Sequence, residues 1–387
     1  MHPRLVQARE LQSWMVTHRR QLHAEPEVGL ELPDTTAYVV QVLQECGYQP
    51  EVHPGAGVTA QIPGRDRSRT PTVLRADMDA LPVDEQTGPR FAEFASQRQG
   101  AMHACGHDLH MAMLLGAARA YADQPPAGDV VLVFQPGEET DRGAVPTLAR
   151  HQSLQLEAAS AFALHVHATW PPHSISYTRG TFMGYGDWFR IDFRGPGGHA
   201  SQPHLAGNPI EAGARFVLAA RALVETLSAS EHLVATVTES FMGNTVNVIP
   251  GEGRLRGTIR TLSAAQRAAL INGLRDAAAR AAKDTDTEAS FELMEGYPAV
   301  VNDGSYVDQM LTTLTATELG TGLTEMTQPS MVIEDFAYFL QRWPGAMVYL
   351  GANIEGHTAF NHAGDAVFDE SVLATGAALH LMAGDGF

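Results

Sequence analysis

Asp129-Val130-Val131-Leu132-Val133-Phe134-Gln135-Pro136-Gly137-Glu138-Glu139 is the stretch on which the fold turns. An apolar run of β-branched and aromatic residues, closed by Pro-Gly, predicts a buried strand over 129–134. Two carboxylates stand just beyond its end. The same arrangement recurs on both sides. Upstream, the strand Thr72-Val73-Leu74-Arg75-Ala76 runs into Asp77-Met78-Asp79. Downstream, Ser160-Ala161-Phe162-Ala163-Leu164 runs into His165-Val166-His167. Amphipathic helices are predicted over 5–22, over 35–46 with a stop at Gly47, and over 109–122. Strands separated by helices predict an α/β sheet with substantial parallel pairing. In such sheets functional groups gather beyond the carboxyl ends of the strands.

After Gly180 the pattern changes. A strand is predicted at 188–193, then a helix over 209–227 with Asn208 as N-cap and Pro209 as first helical residue. Strands near 233–239 and 254–261, a helix over 264–283 and a strand near 289–294 complete a β-α-β-β-α-β order, the pattern of ferredoxin-like domains. The expected architecture is a two-domain α/β protein. A discontinuous large domain, 1–180 and 297–387, has a mixed, largely parallel sheet. An α+β domain, 181–296, is inserted into it.

The densest chemistry lies in His103-Ala104-Cys105-Gly106-His107-Asp108-Leu109-His110. Thiolate and imidazole are the usual ligands for zinc-like divalent metals. On a helix, Cys105 and His107 would point about 200° apart; at a strand end or loop they face the same side. The apolar Met111-Ala112-Met113-Leu114-Leu115 follows at once, so the segment reads as a metal-binding loop feeding a helix, with Asp108 near its N-terminus. His103 and His110 are expected to support that loop. A lone cysteine is ordinarily a small buried hydrophobe, a strand-end histidine a hydrogen-bonded one, and adjacent glutamates a solvated pair. Four such clusters at strand ends or a helix start favour a site.

Composition narrows the partners. The 387 residues, 44% of them hydrophobic, suffice for two sizeable cores. Twenty-six Lys and Arg against 44 Asp and Glu leave a net charge of −18. With no basic stripe, nucleic acid and anionic membranes are not expected partners. The start lacks a signal-peptide h-region and no run is long enough to span a bilayer. Two cysteines, one in a ligand-like setting, make no disulfide framework, and the expected compartment is the cytoplasm.

Six motifs occur in order: Arg75-Ala76-Asp77-Met78-Asp79-Ala80-Leu81-Pro82, Met102-His103-Ala104-Cys105-Gly106-His107-Asp108, Phe134-Gln135-Pro136-Gly137-Glu138-Glu139, Gly195-Pro196-Gly197-Gly198-His199-Ala200-Ser201, Asn247-Val248-Ile249-Pro250 and Glu334-Asp335-Phe336-Ala337. Together they resemble the amidohydrolase branch of the aminoacylase/carboxypeptidase metallopeptidases, which includes hippurate hydrolases, N-acyl-amino-acid amidohydrolases and auxin-conjugate hydrolases. The resemblance spans nearly the whole chain. It implies two divalent metals (Mn, Zn, Co or Ni) held by Cys105, His107, Glu139, His165 and His362. It implies Glu138 as general base, His199 as the group polarising the scissile carbonyl, Asn247 as a substrate contact, and Asp79 as a carboxylate orienting a ligand. It further implies a homodimer in which the inserted domain mediates association and His199 reaches the partner's site. His362 is named by the resemblance alone. Gly137, the segment Thr140-Asp141-Arg142-Gly143, His167 and His173 depart from the usual pattern, which bears on substrate choice.

The expected activity is hydrolysis of N-acyl or N-aroyl amino acids. Deacetylation of a biosynthetic compound such as N-acetyl-diaminopimelate is a rival within the class. A non-catalytic relative that holds metal and ligand is another, against which the intact Glu138-Glu139 pair argues. Cys105 as a nucleophile is disfavoured, because a metal-bound thiolate attacks poorly.

Overall fold

The computed structural model describes residues 2–140, 142–228 and 232–387. The chain divides into two compact units: Met1–Phe182 with Val301–Gln328 and Asp335–Phe387, and Met183–Val300 with Pro329–Glu334.

The larger unit is built on an eight-stranded sheet. It uses β1 (Glu51–His53), β2 (Gly57–Ile62), β3 (Thr72–Asp77), β4 (Val130–Gln135), β5 (Ser160–His167) and β6 (Ile175–Tyr177), with Leu323–Glu325 and Gly345–Gly351. Their order is β1, β2, β4, β3, β5, Gly345–Gly351, β6, Leu323–Glu325. The pairs β4–β3, β3–β5 and β5 with Gly345–Gly351 are parallel, as is β6 with Leu323–Glu325. The other three junctions are antiparallel. All six residues of β3 and of β4 are buried, as a strand covered on both faces requires. Register matters for function. Asp77 pairs with Gln135, so the polar segments after β3 and β4 emerge side by side.

Around the sheet lie α1 (Pro3–Glu10), α2 (Gln12–Ala24), α3 (Pro33–Glu45), α4 (His107–Asp123) and α5 (Ala144–Arg150), followed by Gly304–Thr315 and Leu373–Asp385. α4 and Leu373–Asp385 are buried almost all round, as their lack of a polar face dictates. The helix predicted over 5–22 is two helices. At Leu11 the backbone N–H bonds the Ala8 carbonyl, three residues back, and the helix restarts.

The smaller unit carries an antiparallel sheet in the order Val234–Met242, Glu252–Thr261, Tyr185–Arg194, Glu288–Tyr297. Its helices Pro209–Leu227 and Ala264–Lys283 begin on side-chain caps, Asn208 accepting from the Ile210 N–H and Ser263 from the Gln266 N–H. Phe189, Ile191 and Phe193, alternate residues of one strand, bury together with Phe216, Leu270 and Leu274. This is the ferredoxin-like β-α-β-β-α-β arrangement, and the fold is a two-domain α/β fold. The boundaries fall at 182/183 and 300/301 rather than 180/181 and 296/297, and one further segment of the expected 297–387 stretch lies elsewhere. Pro329–Glu334 returns to the smaller unit, where the Gly184 N–H bonds the carbonyls of Ser330 and Val332 at 3.0 and 3.1 Å.

Candidate metal centre

The loop before α4 turns at Gly106, whose φ is +85°. A Cβ there would lie 2.3 Å from the Val166 side chain, so only glycine fits. The turn sets Cys105 just outside the helix and His107 at its first residue. Cys105 Sγ lies 3.3 Å from His165 Nε2 and 3.2 Å from His362 Nε2. Glu139 Oε1 lies 3.3 Å from His362 Nε2 and 3.7 Å from His107 Nε2. Three sets of donor atoms each fall within 4.8 Å: Cys105 with His107 and His165, Cys105 with Glu139 and His362, and His107 with Glu138 and Glu139.

Backbone groups fix which nitrogen of each ring is bare. His107 Nδ1 donates to the Asp79 carbonyl at 2.7 Å, and His165 Nδ1 to the Val166 carbonyl at 2.8 Å. A carbonyl can only accept, so both lone pairs sit on Nε2 and face the cluster. The Asp79 carboxylate accepts the backbone N–H groups of Glu138 and Glu139 at 3.0 and 3.1 Å. It therefore shapes the turn carrying both glutamates.

Beneath lies a buried ionic layer. Asp77 accepts from His110 Nδ1 at 2.6 Å and from Arg75 Nη1 at 2.7 Å. Arg75 Nη2 also reaches Asp335 at 2.8 Å, and Gln135 Nε2 donates to both oxygens of Asp335. His110 Nε2 accepts the Val166 N–H at 2.9 Å, which puts its proton on Nδ1, toward Asp77. Sequence reasoning gave His110 a supporting place but overlooked Arg75 and Asp335. The available signal was an arginine inside an otherwise apolar strand, two residues before an aspartate.

The electrostatics point to a cation. Burial, then the charges of Glu139 and Glu138, push the Cys105 thiol well above its usual range. Burial and Glu139 likewise raise Asp79. Burial lowers His107 and, with His110 beside it, His165, keeping these rings neutral and ready to ligate. Buried His107 Nε2 has no hydrogen-bond partner among the described residues. Soft and hard donors crowded together, with bare lone pairs and excess negative charge, fit divalent metal.

Cys105, His107, Glu138, Glu139, His165 and His362 thus gather in the larger unit. His362 arrives from a loop with φ +73°, its N–H bonded to the Ala104 carbonyl. His103 is buried beneath the loop, and burial lowers it to about 3. His199 and Asn247 lie in the smaller unit, near one another: His199 pairs with Val248, the residue after Asn247. Both are exposed. His199 Nδ1 accepts the Ser201 N–H at 3.1 Å, which leaves the ring proton on Nε2. His167 stacks on Trp170 at 4.2 Å. His173 has φ +65° and reaches Thr375 Oγ1 at 2.9 Å. Asp141, in the divergent segment, lies outside the described residues.

Candidate metal donors gathered about the strand ends of a mixed α/β sheet fit a two-domain metallohydrolase. Comparison with known proteins makes this specific: residues 73–383 match Peptidase family M20/M25/M40, and the chain belongs to that family. It is 31% identical to thermostable carboxypeptidase 1 of Saccharolobus solfataricus over 97% of this chain and 95% of that one. It is 32% identical to N-acetyldiaminopimelate deacetylase of Streptococcus uberis, covering 88% and 90%. Its structure is similar to that of the Bacillus subtilis YXEP protein, a dinuclear metal binding peptidase of the M20 family, with TM-score 0.83, 28% identity, and coverage of 97% and 98%. The protein is a metal-dependent hydrolase. No described helix is long and apolar enough to cross a membrane.

Proposed function

We propose that this enzyme hydrolyses the amide bond of N-acyl or N-aroyl amino acids, releasing a carboxylic acid and an amino acid. The observation that carries the reading is Glu138 beside the donors, its carboxylate grouped with His107 and Glu139 within 4.8 Å. Cys105, His107, Glu139, His165 and His362 would hold two divalent ions, drawn from Mn, Zn, Co and Ni, which supply Lewis acidity to water and carbonyl. Glu138 takes the proton of the attacking water and returns it to the leaving amine. Asp79 keeps the glutamate turn in place through its two backbone hydrogen bonds. His199, with its proton fixed on Nε2, donates to the developing oxyanion, and Asn247 contacts the substrate.

A second reading is deacetylation of N-acetyl-diaminopimelate, favoured by the Streptococcus uberis relative. A panel of acetyl, benzoyl and indole-acetyl amino acids plus N-acetyl-diaminopimelate, assayed with each metal, separates the two. Preference for acetyl-diaminopimelate over every aroyl substrate would replace the first reading by the second. For the mechanism, Glu138→Ala is expected to keep its metal and lose roughly 10²–10⁴-fold in turnover, whereas Glu139→Ala loses metal as well. Reversed metal contents would swap the two roles.

The reading includes a cytoplasmic homodimer in which His199 serves the partner's site. Mixing Glu138→Ala with His199→Ala chains would then rebuild one site in each mixed dimer, about a quarter of full activity after random exchange. No recovery, with exchange confirmed by mass, would confine His199 to its own chain.

A further inference from the structure

A second set of metal-type donors lies at the β1 edge of the large sheet, on residues the hydrolytic site does not use. Glu51 and His53 are two apart on β1, so their side chains share a face. His151 follows α5 directly and is fully buried, while Glu51 and His53 are 31% and 37% exposed. His53 Nε2 lies 2.9 Å from Glu51 Oε1, and His151 Nδ1 lies 3.9 Å from Glu51 Oε2. The two rings meet edge-on with centroids 4.8 Å apart. One donor atom from each residue falls within 4.8 Å of the others.

The group is held in place by the fold. His151 Nε2 donates to the Ala56 carbonyl at 2.9 Å, which puts the ring's lone pair on Nδ1, toward Glu51. A ligating histidine is ordinarily anchored through its other nitrogen in this way. Glu51 is fixed from behind by the backbone N–H groups of Gln152 and Ser153, at 2.8 and 3.3 Å. Thr59 Oγ1 approaches His151 Nδ1 at 3.1 Å, but it also has Ser153 Oγ at 2.7 Å and can donate there instead. The lone pair can therefore be released without stranding a hydroxyl. In a tetrahedral zinc site, neighbouring donor atoms stand about 3.3 Å apart. His53 approaches one Glu51 oxygen at 2.9 Å and His151 the other at 3.9 Å, each within about 0.6 Å of that value, and the part-exposed Glu51 and His53 give solvent access for a water as fourth ligand.

We propose that Glu51, His53 and His151 form a separate divalent-metal site of the zinc class. Two imidazoles and one carboxylate select zinc over magnesium or calcium, which prefer oxygen donors. The ion would clasp the β1–β2 hairpin to α5. That helix starts at Ala144, whose N–H is held by Asp335 at 2.8 Å, so the clasp steadies the element that follows the Glu138–Glu139 turn. Its role is structural.

The test compares wild type with His53→Ala. This variant removes a half-exposed ligand and leaves the hydrolytic donors and the Ala56 hydrogen bond intact. Both proteins are stripped with chelator, re-equilibrated with micromolar zinc, passed through a desalting column, and analysed for zinc per chain and for Tm with and without zinc. Wild type is expected to carry one more zinc per chain, and to gain on the order of 5 °C more on zinc addition. Glu51→Gln should behave like His53→Ala. Equal zinc contents, or an equal zinc-induced rise in Tm, overturn the site. Because both proteins keep the hydrolytic centre, failure of the readings for that centre would lower both zinc contents together and leave the difference unchanged.

Discussion

The two units bury different things. The larger hides Arg75, Asp77, Asp79, His103, His107, Asp108, His110, Asp335 and His380, each no more than 1% exposed. The smaller is packed with Phe189, Phe193, Phe216, Leu270 and Leu274; among its described residues only two carboxylates are buried, Glu334 and Asp187, the latter matched by Arg267 at 2.7 Å. Burying charge costs free energy unless every group is paired. The larger unit incurs that cost at the carboxyl ends of its strands, where the metal donors converge. The smaller incurs it at only two buried carboxylates and displays its functional candidates, His199 and Asn247, on the surface. A unit organised around an ionic layer is sensitive to the loss of one charge, and one organised around phenylalanines is sensitive to volume.

The sharpest way to break this contrast is Arg75→Met. It leaves Asp77 and Asp335 buried without their shared cation, and a loss of about 3–5 kcal/mol is expected, with weakened metal retention. Urea unfolding and elemental analysis would show it. A loss under 1 kcal/mol would mean that the ionic layer is not integral to the larger unit.

Acid provides a graded version. His380 is buried against Phe162, its ring nitrogens have no hydrogen-bond partner among the described residues, and burial lowers it to about 3. The unfolded chain takes up this proton near pH 6.5 and the folded one only near 3, so stability falls as pH drops through that window. At pH 4.5 the single group costs about 2–3 kcal/mol. His380→Leu should flatten the pH 7 to 4.5 difference by that amount, and an unchanged slope would show that another group controls it. The smallest effect belongs to the smaller unit: Asn208→Ala removes the N-cap of Pro209–Leu227 and should cost ~1 kcal/mol without changing metal content. Loss of metal in that variant would contradict the separation of roles.

What could be read beforehand follows from how local each signal is. Cys105 and His107 sit in one loop, Glu138 and Glu139 follow one apolar strand, and His165 ends another, so residue chemistry and strand pattern suffice. His362 carries no such mark. It reaches Cys105 only because its loop bonds Ala104, a contact 258 positions away in sequence, and the family resemblance alone pointed to it. Strands β1 and β2 escaped notice because β1 has three residues and β2 mixes Gly, Thr and Gln with its apolar positions. The Leu11 break was hidden as well, since leucine continues an amphipathic pattern while its backbone turns.

One feature of the strand order bears on how the chain is made. In the large sheet β5 pairs with Gly345–Gly351, near the centre, and the helix Leu373–Asp385 packs later still. The four strands of the smaller sheet are all complete by Tyr297. A ribosome releasing the chain from its N-terminus therefore presents a finished ferredoxin-like sheet while the larger one still lacks a middle strand. Since domains fold as units during synthesis, the inserted unit should be the first to become native, with the first 180 residues waiting on the last 50 or so.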